Sequence, residues 1–236
     1  MKLTFTLPAE LSVTQPASPS AATLEVNIDQ LVIAGWAGRD PEAIMHHISE
    51  LEALGVPRPS AVPLFYRVAA NQLTQNKTVE VIGSASSGEA EVFIFTHQGE
   101  LYVSLASDHT DRELESHSVA LSKQLCVKPV ATTAWRMSDV AEHWDQLILR
   151  AWIKEDGEYH LYQQGPLSTL REPGDLLSRY LNQGALPANG LGMTCGTVAA
   201  IGGIRPATEF RMELVDERLG RSISHAYQSL ELPVVA

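Results

Sequence analysis

The chain has 236 residues, 44% hydrophobic and 19% charged, the composition of an ordinary globular protein long enough to bury a sizeable core. Its formal net charge of -11 excludes a nucleic-acid binder, which needs a basic face to neutralise phosphates. No apolar run reaches membrane-spanning length, the N-terminus lacks a signal-peptide core, and Cys126 and Cys195 make no disulfide framework, so a cytoplasmic protein with reduced thiols is expected.

Lys2 to Leu7 alternates as a strand, and Pro16-Ala17-Ser18-Pro19-Ser20 reads as a loop leading to a second strand that opens over Leu24 to Ile28. Asp40 then caps a helix beginning at Pro41, with Ile44, Ile48, Leu51 and Leu54 at helical spacing and Gly55 and Pro57 as its stop. His47 and Glu50 fall three apart on one face of this helix. The carboxylate can orient the imidazole and raise its basicity for proton transfer, and an exposed His/Glu pair without chemistry is the competing reading. His46 is read as solvated surface. The proline-punctuated stretch from Val56 to Pro63 is an extended connector ending in Leu64-Phe65-Tyr66-Arg67.

Beyond Val79 the pattern becomes short β-branched and aromatic runs. Strands are predicted at Val79 to Ile82, Glu89 to Phe95, Leu101 to Leu105, Leu147 to Ile153, Tyr159 to Gln163, Met193 to Val198, Glu209 to Val215 and Ser222 to Leu230. Helices are predicted from Asp111 to Leu121 and from Pro173 to Tyr180. In a strand, Glu89 and Glu91 share a face with Phe93 and Phe95, while Ala90, Val92 and Ile94 take the other. Paired carboxylates beside a core need a cation, a shared proton or water to relieve their repulsion. Asp108, in Ser107-Asp108-His109-Thr110-Asp111, supplies a third oxygen donor suited to Mg2+ or Mn2+; the alternative is that Asp108 or Asp111 caps the helix that follows.

Lys123 sits where it can satisfy the last carbonyls of a helix or hold an anionic substrate. The small-residue run from Gly192 to Ile204 lets backbone N–H groups at Gly196 approach a ligand, with the Thr197 hydroxyl beside them. It lacks the endings and spacings of a phosphate-binding loop. Cys195 reads as a buried strand residue.

Taken in order, these pieces resemble the fumarylacetoacetate hydrolase superfamily from about Gly38 to the C-terminus. His47-Ile48-Ser49-Glu50 is similar to its His-x-x-Glu helix, Phe65-Tyr66-Arg67 to its Phe-x-Lys, and Glu89-Ala90-Glu91 to its Glu-x-Glu metal strand. Ser107 to Glu113 resembles its Asn-Asp-x-Ser-x-Arg-Asp turn, and Ser122-Lys123 its Gly-Lys. The strand pair around Asp156-Gly157 resembles its Asn-Gly hairpin ending in Gln, here Gln163, and Gly196 to Gly202 its closing glycine loop. Arg67 stands in place of Lys, Val198 in place of Pro, and the stretch from Glu91 to Asp108 is short, which marks a divergent branch close to an uncharacterised bacterial domain family.

The resemblance implies an α+β, mostly β fold: a mixed β-roll core with flanking helices over residues 63–236, preceded by a smaller N-terminal α+β region over 1–62 that carries a lid helix. It implies a homodimer and a divalent ion (Mg2+, Mn2+ or Ca2+) on Glu89, Glu91 and Asp108. It also implies His47, Glu50 and Lys123 as catalytic residues, and Arg67, Gly196 and Thr197 as contacts to a small 2-oxo acid. The implied reaction is hydrolysis of a carbon–carbon bond in an acylpyruvate-like substrate through a metal-stabilised enolate. Decarboxylation, hydration or isomerisation of a related oxo acid, and a non-catalytic metal/oxo-acid binding protein, are the alternatives.

Overall fold

A computed structural model describes residues 1–8, 21–53 and 58–235. Strand β1 (Lys2–Leu7) alternates exposed and buried positions and pairs antiparallel with the first half of the long β2 (Ala22–Gly35). Asp40 accepts the backbone N–H groups of Glu42 (2.9 Å) and Ala43 (3.3 Å), capping α1 (Pro41–Ala53) as the sequence predicts. The chain returns as β3 (Leu64–Val68), antiparallel to the second half of β2. The sequence pattern makes this segment a connector; the free edge of β2 makes it a strand.

Short β4 (Leu73–Thr74), β5 (Thr78–Ile82) and β6 (Ser86–Ser87) precede the central hairpin of β7 (Ala90–His97) and β8 (Glu100–Ser107), after which β9 (Thr110–Asp111) pairs with β6. The single helix predicted from Asp111 to Leu121 is two. Asp111 caps α2 (Arg112–Glu115) through the N–H of Leu114 at 2.8 Å, and Ser118 caps α3 (Val119–Leu125) through that of Leu121 at 3.3 Å. The Ser118 hydroxyl offers the backbone an alternative partner, and its extended ψ of 110° ends the first helix and begins the second.

There follow β10 (Lys128–Pro129), β11 (Trp135–Arg136), and the hairpin of β12 (Ile148–Glu155) and β13 (Glu158–Pro166). Asp156 and Gly157 both have positive φ (51° and 86°), as a two-residue hairpin turn requires. Helix α4 (Pro173–Tyr180), β14 (Gly190–Thr194), β15 (Glu209–Asp216) and β16 (Arg221–Leu232) complete the described chain. The strand predicted to reach Val198 stops at Thr194 because Gly196 turns at φ +88°.

The strands assemble into a seven-stranded sheet, ordered β1-β2-β14-β7-β8-β11 with β3 added on β2, and a five-stranded sheet, β13-β12-β15-β16-β5. The N-terminal strands thus belong to the same sheet as the central hairpin, since β2 lies parallel to β14. Both faces of β7 are buried. Val92 and Ile94 pack with Leu149, Ala151, Met212 and Leu214 of the five-stranded sheet. Phe93 and Phe95 face the opposite way, onto Phe5, Ile28 and Leu31, with the Phe5 and Phe95 rings stacked at 4.4 Å. Each such burial contributes about 1.5–3 kcal/mol, so β7 is a rigid base for whatever projects from its start. The fold is α+β and mostly β, with flanking helices; among the described residues no helix is long and apolar enough to cross a membrane.

Candidate functional site

Glu91 lies in β7, Glu89 immediately precedes it, and Asp108 follows β8. The antiparallel register pairs Ala90 with Ser107, and the Asp108 N–H donates to the Glu89 carbonyl at 2.9 Å. Strand alternation then aims Glu89 and Glu91 to one face, where carboxylate oxygens of Glu89, Glu91 and Asp108 come within 4.8 Å of one another. Asp108 is fully buried and Glu91 is 3% exposed, while Glu89, 14% exposed at its side chain, is the most accessible of the three. Asp111 is the helix cap; Asp108 is not.

Three cations surround these groups. Lys123, buried on α3, donates to Asp108 Oδ2. Lys128, also fully buried, lies 3.1 Å from Asp108 Oδ1 and donates to the His109 carbonyl. Arg112 Nη2 is 3.4 Å from Glu89 Oε1, while its other nitrogens donate to Ser87 Oγ (2.7 Å) and Glu115 Oε2 (2.8 Å). Burial, reinforced by the charges of Asp108 and Glu89, pushes the Glu91 carboxyl up to about 8. Burial raises Glu89 as well, against Arg112 and Lys123. At Asp108 burial opposes ionisation too, but the two lysine ammoniums prevail and bring the carboxyl down to about 2.

A hard divalent cation fits this donor set. All three ligands are carboxylates, Asp108 Oδ1 sits near Lys128 without hydrogen-bond geometry and has no hydrogen-bond partner among the described residues, and a metal on Glu91 would compete with the proton that burial favours there. The surrounding chain fixes the acids. The Gly196 N–H donates to Glu91 Oε2 at 2.9 Å, and Thr197 Oγ1 donates to the Ala90 carbonyl while accepting from Gln163 Nε2, both at 2.7 Å. Gly196 and Thr197, expected as substrate contacts, are therefore engaged by the protein itself. A Cβ at Gly196 would lie 2.7 Å from that of Ala37, at a φ that L-residues avoid. Gly196→Ala is accordingly expected to cost about 1–3 kcal/mol, lowering Tm by several degrees in a thermal melt, and to weaken Mn2+ binding by displacing Glu91.

Of the other residues anticipated from sequence, Lys123 joins the carboxylates. Arg67 does not: its side chain is exposed and donates to the Tyr180 hydroxyl at 3.3 Å, whereas its neighbour Tyr66 faces Lys123. His47 and Glu50 lie on α1, and their side chains fall outside the described residues. Lys128 was not anticipated, nor was His109. The His109 imidazole, kept neutral by burial that brings it down to about 3, meets the Tyr227 hydroxyl at 2.8 Å. That hydroxyl meets Ser107 Oγ at 2.8 Å, which accepts the Glu89 N–H at 3.2 Å. A histidine inside the acidic turn was the one local signal for this chain of contacts.

Solved structures share this architecture. A protein from Oleispira antarctica, whose description assigns it to the fumarylacetoacetate isomerases/hydrolases, superposes with a TM-score of 0.60 at 15% identity over 94% of this chain and 100% of its own. A 2-keto-3-deoxy-D-arabinonate dehydratase in its apo form gives 0.61 at 13% identity over 87% of this chain and 74% of its own. A protein from Burkholderia cenocepacia, described among the fumarylpyruvate hydrolases, gives 0.54 at 16% identity over 96% and 100%. At such identities the likeness establishes the fold, that of the fumarylacetoacetate hydrolase proteins. No curated protein matches the sequence. A family model spans residues 34–227, and on that match the chain belongs to the family described as "Protein of unknown function (DUF2848)".

Proposed function

We propose that the protein is a divalent-metal-dependent enzyme that cleaves a carbon–carbon bond in an acylpyruvate-like 2-oxo acid. The convergence of Glu89, Glu91 and Asp108 within 4.8 Å of one another, with Asp108 Oδ1 lacking a hydrogen-bond partner among the described residues, carries the reading. An ion held by these three residues would supply Lewis-acid polarisation of a chelated 2-oxo acid. Lys123, its ammonium fixed by Asp108, contributes positive charge where the substrate's own negative charge grows. His47, oriented by Glu50, takes a proton from water as the oxygen attacks the acyl carbonyl. It returns that proton to the departing carbon, so the products are a carboxylic acid and pyruvate. A homodimer is part of the same reading.

The dehydratase and the isomerase/hydrolase among the structural neighbours support a second reading, a lyase or isomerase working on a related oxo acid with the same residues. A panel of acylpyruvates and oxaloacetate separates the two. With Mn2+ supplied, acylpyruvates are expected to yield pyruvate, chelation to stop the reaction, and His47→Ala to slow it by about a hundred-fold or more. Turnover that survives chelation overturns the metal-dependent scheme, and an undiminished His47→Ala rate overturns the dyad.

A further inference from the structure

At its end β2 turns through Gly35-Trp36-Ala37, and this turn is wedged between two elements of the site. Trp36 has φ +58°, a left-handed conformation that bulky residues rarely adopt and that Gly and Asn tolerate. On one side Gly35 seats the Tyr66 ring, since a Cβ there would come within 2.8 Å of Tyr66 Cε2. On the other, Ala37 packs against Gly196, whose N–H holds Glu91.

Tyr66 and Arg67 are neighbours on β3 and point to opposite sides of the sheet. Tyr66 packs toward the core of Phe5, Phe93 and Phe95, on the same face as Glu91; Arg67 points out toward Tyr180. The Lys123 ammonium stands 5.9 Å from the centre of the Tyr66 ring, and the Trp36 side chain lies close to the Tyr66 hydroxyl. Both rings are only half-buried. Strained backbone of the Trp36 kind persists where surrounding structure enforces it, typically beside a ligand.

We propose that Tyr66, held in place by Trp36, is the residue of β3 that meets substrate, its ring packing against the acyl tail of a 2-oxo acid whose carboxylate end lies at the acidic centre and Lys123. This rests on the function proposed above and adds the substrate class: the tail is apolar or planar, recognised by an aromatic wall. Arg67, on the far side of the strand, has no part in it. Tyr66 is the contact and Trp36 the positioning residue.

The test uses the full chain and three measurements: calorimetric titration of Mn2+ alone, calorimetric titration of oxalate on the Mn2+-loaded protein, and, because acetylpyruvate is turned over, its apparent affinity as KM from initial rates of pyruvate release. Oxalate has the chelating end without a tail. Tyr66→Leu and Trp36→Asn are expected to leave Mn2+ and oxalate affinity within about twofold and to weaken acetylpyruvate about tenfold or more, the scale of one lost aromatic contact. In Trp36→Asn, acetylpyruvate affinity that falls while Mn2+ and oxalate affinity hold is not what a merely structural role gives, since general loosening would move all three. Arg67→Ala should change none of the three. An acetylpyruvate-to-oxalate affinity ratio unchanged in both aromatic variants, or lowered by Arg67→Ala instead, overturns the proposal alone. A wild-type chain that binds no Mn2+ removes the underlying function and the proposal with it.

Discussion

Glu91→Gln is expected to abolish divalent-ion binding, to lower metal-dependent turnover about a thousand-fold, and to flatten the pH dependence of the empty protein's stability. The turnover figure is the loss of about 4 kcal/mol of metal-derived stabilisation. The amide still offers an oxygen to the Gly196 N–H, so the local hydrogen bond at 2.9 Å survives and the fold is retained. What it removes is the proton equilibrium. In the empty wild-type protein the Glu91 carboxyl titrates at about 8, above its ordinary 4.5, so the folded state holds its proton more tightly than the unfolded state. That contribution to stability is complete below about pH 4.5 and is lost as pH rises through about 8. Metal and proton compete for the same oxygen, so the rise in Tm given by Mn2+ should grow between about pH 6 and 8 and level off above. Calorimetric Mn2+ titrations and melts across that range check both points. Wild-type Mn2+ affinity in Glu91→Gln would place the metal elsewhere.

The acidic centre was legible because its signal is local. Glu89 and Glu91 lie two apart on a strand, and the period of 2 alone puts them on the Phe93 face, as found. Asp156-Gly157 and Asp40-Pro41 were equally readable, since a positive-φ turn and a helix cap are chosen by the residues that form them. Lys128 was invisible for the opposite reason. Between Val127 and Pro129 it has no periodic partner, and only the folded chain brings it to an aspartate twenty residues earlier. Arg67 shows the limit of motif alignment. Matching it to a family lysine fixed its place in the order, but which side of β3 it takes is set by pairing with β2, and that register turns Tyr66 inward instead. The break at Ser116–Ser118 lies in a sequence that reads as continuous helix, although its cause is local: Ser118 accepts the Leu121 N–H at 3.3 Å and starts a new helix.

Lys128→Met is the substitution with the largest expected effect on folding. Asp108 and Lys128 are both fully buried, so removing the ammonium leaves Asp108 Oδ1 and the His109 carbonyl without their cation. Breaking one member of a buried ion pair costs about 3–5 kcal/mol. Lys123 still holds Oδ2, which favours the lower end, and at about 2–4 °C per kcal/mol the melting temperature should fall by about 6–12 °C. The acid limb should move as well. Asp108, held near 2 by its lysines against the opposing effect of burial, contributes stability present above its ordinary 3.8 and lost as pH falls through 2; with one lysine gone its loss begins at higher pH. Metal acts in the opposite sense, because an Asp108 with less competition from ammonium groups binds Mn2+ more tightly, and Mn2+ should raise Tm further in Lys128→Met than in the wild type. Asp108→Asn combined with Lys128→Met separates charge from packing. With the buried carboxylate neutralised, the double variant should regain stability relative to Lys128→Met while binding no Mn2+. A Lys128→Met protein melting within about 1 °C of the wild type, against the 3–5 kcal/mol expected of a broken buried pair, would show that Lys123 alone neutralises Asp108.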